Sequence, residues 1–298
     1  MISENQERIF GSALIALSAA AFGAMAIFAR AAYASGANVS GVLLVRFALA
    51  GAVLALVMAV TGRRFPRGRE LLVAAAMGAI GYVGQALSYF TALQHASAGL
   101  VALLLYLYPV LVSLLAAVFL GERLTWRKAG LLAVSFGGTA LTIGSGSGTP
   151  LGIVLGVAAA VIYSIYITVG GRFLGRADSV GVSAVVCLSA AAVIGVGAGL
   201  SPPTFPADTG GWIALVAVAL VSTVIAILSF FAGLRRVGAS RAAILSTLEP
   251  VVTIGLAAWL LAEPILPLQL VGGALILVAA VLVARRRRDG NEAAQDGP

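Results

Sequence analysis

Charge is what this 298-residue chain has least of: Asp, Glu, Lys and Arg make up 10% of it, where a soluble domain carries about a quarter. There is one cysteine, Cys187, and one histidine, His95. They leave no disulfide, no zinc cluster and no Cys/His dyad with a fallback partner, and no metal is implied. The eleven acids are scattered and no two share a helix face, so the clustered carboxylates of a membrane-embedded enzyme acting on lipid precursors are missing. No ATP-binding motif is present and no cofactor is implied. The glycine-rich stretch GSGSGTP (144–150) has no lysine and reads as a linker, not a phosphate loop. What fills the chain instead is apolar: 61% of its residues, with a mean hydropathy of +1.07. A fold of this size has too little interior to hide that much apolar surface, so its solvent is lipid. The net charge of +8 then asks which side of a membrane the arginines face, and nucleic acid is not an expected partner.

A bilayer core needs about 20 apolar residues in a helix. Ten such runs are found, near 10–33, 41–60, 71–93, 99–120, 129–143, 151–171, 180–200, 212–231, 242–261 and 268–284. With both termini in the cytoplasm, seventeen of the nineteen Lys and Arg residues fall on the inner side, and the outer loops hold none. Merging any two runs would break this positive-inside bias. Trp126, Trp212 and Trp259 lie near helix ends, where an indole meets both water and lipid.

Sliding the chain by 141 residues aligns 89–122 with 230–263 without a gap, matching Pro109 to Pro250 and Glu122 to Glu263. Gly11 likewise falls on Gly152. Each half then holds five helices, an odd number, so the second half enters the membrane from the opposite side. The loops exchange charge accordingly: GRRFPRGR (62–69) carries four arginines and its counterpart PTFPADTG (203–210) none. Inverted repeats let two similar halves rock about a site at the midplane. The expected fold is therefore all-α: ten transmembrane helices in two inverted five-helix repeats. Residues 1–9 form a cytoplasmic N-terminus, 10–143 and 151–284 the repeats, 144–150 a periplasmic linker and 285–298 a cytoplasmic tail.

The paired blocks PVLVSLLAAVFLGERLTWRKAG (109–130) and EPVVTIGLAAWLLAE (249–263) resemble the two EamA repeats of the drug/metabolite transporter superfamily. Phe22–Gly23 in the first helix and Arg46–Phe47 in the second are further matches. Within the superfamily the chain is similar to the YddG-type amino acid exporters of bacterial inner membranes. That resemblance implies a secondary transporter, not an enzyme, exporting aromatic and other amino acids by alternating access. Membrane lipids would be its surroundings and a monomer its expected state. Other substrates, such as nucleosides, sugars, drugs or polyamines, stay open.

Charge inside lipid costs about 2.5–3.5 kcal/mol near a helix centre, so each case needs a reason. Glu249 lies near the midplane of the ninth helix. It either carries a proton or pairs with a substrate amine, or else it is a structural acid beside Pro250. Arg46, inside the second helix, either binds a substrate carboxylate or anchors another helix. Arg30 is near enough to a helix end to snorkel. The repeat partner of Glu249 is Tyr108, so its chemistry is not duplicated. Pro109 and Pro250 each free a backbone carbonyl at matching depth, as a hinge or as a fixed kink. In the third helix Gly78, Tyr82, Gln85 and Tyr89 form one stripe, answered by Ser222, Thr223 and Ser229 in the eighth and by Tyr163 and Tyr166 in the sixth. The substrate cavity is expected to be walled by Tyr82, Gln85, Tyr89, Tyr108 and Tyr163, with Arg46 and Glu249 as its charged members.

Overall fold

A computed structural model describes residues 4–119, 126–144, 148–174 and 177–295, apart from the side chains of residues 4, 5, 116, 117, 127, 128, 239, 240 and 283–295. Glu122, Arg123 and Arg176 lie outside the described residues, as do the side chains of Arg285–Arg288. The described chain is helical, with no strand. In order it forms α1 (Glu4–Gly23), α2 (Met25–Ala34), α3 (Val39–Val60), α4 (Arg69–Ala76), a π-helical turn π1 (Met77–Tyr82), α5 (Val83–His95), α6 (Ala98–Leu105), α7 (Tyr108–Phe119), α8 (Trp126–Gly144), α9 (Pro150–Phe173), α10 (Ser179–Gly197), α11 (Thr209–Ala219), a second π-turn π2 (Leu220–Ile225), α12 (Ala226–Ser246), α13 (Leu248–Leu260) and α14 (Pro267–Gln295).

Among the described residues, eight helical segments are long and apolar enough to cross a membrane, and Ala129–Gly144 and Pro267–Leu282 are shorter apolar helices. Exposed large apolar side chains such as Val196, Ile80 and Leu72 cover the outside of the bundle, as lipid contact requires. Helix starts are set by short polar side chains. Asn38 accepts from the Gly41 amide, Thr149 from Gly152 and Asp178 from Val180 and Gly181. His95, two residues past the expected end of the third run at 93, is the last residue of α5 and is half-buried, its carbonyl accepting from the Thr149 amide at 2.9 Å.

Two membrane helices are broken in mid-course. The first breaks at Tyr106–Leu107 between α6 and α7, the second at Thr247 between α12 and α13. Pro109 and Pro250 sit in the first turn after each break, where a helix already has unbonded amides and proline costs least. Gly238 makes a separate turn inside α12, with φ of +77°.

The two halves meet through matched contacts. Gly11 packs on Arg236 and Val237; 141 residues further on, Gly152 packs on His95 and Ala96, which are the counterparts of that pair. Gly23 lies against the Glu249 carbonyl, and Ser164 donates to the Tyr108 carbonyl at 3.3 Å. The start of α3 touches the chain beyond α10, where Asn38 donates to Pro202, while Arg63 beyond the other end of α3 pairs with Asp178 before α10 at 3.3 Å. Helices α3 and α10, sequence counterparts of each other, therefore run antiparallel.

Candidate functional site

A cavity of about 250 Å³ lies where the halves meet. All seven side chains expected at the site line it: Arg46 from α3, Tyr82 and Gln85 from π1 and α5, Tyr89 from α5, Tyr108 from α7, Tyr163 from α9 and Glu249 from α13. The two prolines do not face it; Pro250 is buried in packing. Several lining residues form counterpart pairs across the 141-residue offset: Phe22 with Tyr163, Met25 with Tyr166, Arg46 with Cys187, Tyr89 with Phe230, and Tyr108 with Glu249. The cavity thus straddles the relation between the halves instead of belonging to either.

Arg46 is 3% exposed, and among the described residues no carboxylate lies within ion-pair distance of it. Its Nε donates to the Thr223 hydroxyl at 3.0 Å and its Nη2 to the Tyr82 hydroxyl at 2.9 Å. Its guanidinium carbon lies 5.1, 5.5 and 5.2 Å from the ring centres of Phe47, Tyr82 and Phe90. Neutral hydroxyls and ring faces spread the charge without cancelling it. A buried cation left in this state favours an anionic ligand.

From Arg46 a wall of tyrosines leads to the acid. Tyr82 stacks on Tyr166 at 5.7 Å, Tyr166 on Tyr163 at 5.9 Å, and Tyr163 meets Tyr108 edge-on at 4.9 Å. Tyr106, 5.7 Å from Tyr108, donates to the Glu249 carboxyl at 3.3 Å and also to the Ser246 carbonyl. Ser246 is the residue whose helical amide partner would be that of Pro250, so this tyrosine fills the vacancy that the proline creates. Glu249 is half-buried and, among the described residues, has no cationic partner. Tyr89 lines the same cavity as Arg46 and Glu249.

Other expected positions do different work. Gly78, on the same stripe as Tyr82, packs against α10, where an added Cβ would strike the Val186 backbone. Ser222 is fully buried and Ser229 is buried, and neither lines the cavity. Arg30 does not simply snorkel: it donates to the Ala96 carbonyl at 2.9 Å and pairs with Glu263 at 3.1 Å. Glu263 also accepts from the amides of Ala98 and Gly99, capping α6. Tyr106 and Cys187 were not expected at the site. Adding 141 to Arg46 would have pointed to Cys187, and asking what takes the carbonyl freed by Pro250 would have called for a donor such as Tyr106.

The model of the EamA-like transporter family matches residues 9–144 and again 150–285. The chain belongs to this family. An EamA-like transporter built of several apolar helices is a multi-pass membrane protein with a small-molecule substrate, and it is a transporter, not an enzyme. Among its relatives is a protein of Streptantibioticus cattleyicolor named a probable terminal-alkyne amino-acid exporter, 33% identical over 84% of this chain and 86% of its own. Another is the aromatic amino acid exporter YddG of Ancylobacter novellus, 30% identical over 69% of this chain and 75% of its own. A solved crystal structure, 26% identical, superposes with a TM-score of 0.66 over 95% of this chain and 99% of that one.

Proposed function

We propose that this transporter exports amino acids, aromatic ones among them, across a bacterial inner membrane by alternating access. Its frame would be ten transmembrane helices arranged as two inverted five-helix units, residues 10–143 and 151–284, joined by a periplasmic linker at 144–150, with both termini cytoplasmic. The antiparallel course of α3 and α10 and the matched glycine contacts support the inversion. The arginine-rich loops support the orientation. Rocking of the halves about the breaks beside Pro109 and Pro250 would open the cavity to each side in turn.

The observation that carries the substrate class is Arg46, a buried cation with no carboxylate partner among the described residues, facing a cavity walled by tyrosines. In this reading the guanidinium takes the substrate carboxylate and the ring faces of Tyr82, Tyr89, Tyr108 and Tyr163 hold an apolar or aromatic side chain. Gln85 supplies a neutral polar contact. Glu249, at the far end of the tyrosine wall, takes up and gives up the proton that couples transport to a gradient. The two relatives named as amino acid exporters support the same class.

Counterflow in proteoliposomes with amino acids, sugars, nucleosides and polyamines tests it. Exchange of aromatic amino acids is expected, with a pH dependence that Glu249→Gln removes. Failure to exchange any amino acid overturns the substrate class, and unchanged pH dependence in the Gln variant returns Glu249 to a structural role.

A further inference from the structure

Tyr82 and Thr223 are counterparts, 141 residues apart, and both touch Arg46. Each ends or lies within a π-turn, and the two π-turns, 77–82 and 220–225, occupy corresponding helices of the two halves. One guanidinium is thus gripped by the same position of both halves. From this we propose that Tyr82 and Thr223 are positioning residues: they fix the Arg46 guanidinium so that its remaining Nη1 edge is presented to a ligand carboxylate. The proposal deepens, and rests on, the reading of Arg46 as the carboxylate site.

The chemistry of each hydroxyl follows from its turn. Thr223 donates to the Val218 carbonyl at 2.9 Å, five residues back. In an α-helix a threonine hydroxyl reaches three or four residues back. The longer reach belongs to the wider π-turn, which is a recurrent feature of functional helices. With its proton committed to Val218, the Thr223 oxygen can offer Arg46 only lone pairs. Thr223 and Arg46 are 0% and 3% exposed, so the contact is dry and strong. Tyr82 accepts from Nη2 and keeps its own proton, for which the described residues supply no acceptor. The Nε proton and one Nη2 proton are therefore occupied, and the end of the guanidinium that carries Nη1 is left to bind.

Because Arg46 and Tyr82 belong to one half and Thr223 to the other, movement of the halves strains the Thr223 grip while the Tyr82 grip travels with Arg46. Carboxylate affinity then depends on how the halves stand, which is the differential binding that alternating access needs.

The test uses the full-length transporter in proteoliposomes, with L-phenylalanine as substrate and phenethylamine, which lacks the carboxylate, as competitor. Thr223→Val keeps the shape and deletes the hydroxyl; Tyr82→Phe does the same across the site. Each is expected to raise the KM for phenylalanine about tenfold, while phenethylamine inhibits within about twofold of its wild-type strength. Thr223→Ser restores the hydroxyl and is expected to bring the KM back to within about twofold. If both ligands weaken alike, or only the maximal rate falls, the positioning role is overturned. Arg46→Gln separates the two levels. A normal phenylalanine KM in that variant sinks the carboxylate reading itself, whereas a raised KM there with unchanged Thr223→Val and Tyr82→Phe sinks only the positioning proposal. Wild-type protein that binds neither probe removes both.

Discussion

Tyr108 and Glu249 stand at equivalent places, each one residue before a proline and each in the first turn after a break in a membrane helix. Their backbones are held alike, by Ser164 reaching the Tyr108 carbonyl and by Gly23 lying under that of Glu249. Their side chains have nothing in common. The same contrast recurs at Arg46 and Cys187, which also face one cavity from matching helices. Duplication has preserved the frame and abandoned symmetry among the side chains that line the cavity. A symmetric cavity would meet an asymmetric solute with one wrong half, so divergence inside a conserved shell is what a site shared by two copies requires.

Making the first half copy the second is the severest way to break that contrast. Arg46→Cys removes a buried charge that nothing else in the cavity can replace, and initial exchange rates of the preferred substrate at low concentration are expected to fall roughly 100-fold. Cys187→Ser on the matching helix is expected to stay within about threefold of wild type, since the thiol makes no hydrogen bond among the described residues. Comparable losses in both would mean that the two positions act as one structural pair.

The ends of the molecule differ as well. Glu263 ties Arg30 to the start of α6 and accepts two amides there. The counterpart of Arg30 is Gly171, so the same tie cannot form at the matching place in the other half. Glu263→Ala leaves the Ala98 and Gly99 amides without their acceptor and a partly buried guanidinium without its counter-ion. It is expected to destabilise the protein by about 2–3 kcal/mol, and Glu263→Gln by less, because the amide oxygen can still cap. Thermal melts in detergent check the order; equal effects would show that only the charge matters.

Where the halves agree, matched substitutions sharpen the comparison. Cβ atoms added at Gly11 and Gly152 would approach their partners to 2.6 Å and 2.9 Å, closer than packed atoms allow. Gly11→Ala and Gly152→Ala are each expected to cost about 1–3 kcal/mol. A large effect at one and none at the other would mean that the interface between the halves is not equally tight on both sides.

How much of this the sequence discloses depends on the distance over which the physics acts. Helices, the duplication and the polar side chains within them are legible, because lipid makes each intramembrane charge or hydroxyl conspicuous. Tyr82, Gln85, Tyr89, Tyr108, Tyr163, Arg46 and Glu249 could be singled out on that ground, and they line one cavity. The π-turns were not legible, since a change from i−4 to i−5 hydrogen bonding leaves hydropathy untouched. Nor was the double grip on Arg46, which depends on where two distant helices cross. Gly78 looked like part of the polar stripe, but its face is decided by α10 packing against it. Helix ends were misplaced by a few residues, as at His95, because caps such as Thr149 act on the helix they start and say nothing of the one that stops nearby.

The subtlest contrast lies where corresponding helices begin. Asp208 caps α11, and its counterpart Arg67 precedes Gly68, which begins α4 with no side-chain cap. The Asp208 carboxylate accepts from the Ser35 hydroxyl and from the Gly211 and Gly210 amides, and these hold its pKa below the usual carboxylate range. A lowered folded-state pKa gives stability that is fully present above the unfolded value of about 3.9 and is lost as pH falls through the folded value. Asp208→Asn keeps a capping oxygen but cannot titrate. Melting temperatures of the two proteins are therefore expected to differ slightly at pH 7, wild type higher, and to converge below about pH 3.9. The matching exchange Arg67→Gln should show no such convergence, since an arginine stays charged throughout. A gap at Asp208 that persists unchanged into acid would mean that the cap works by shape and not by charge.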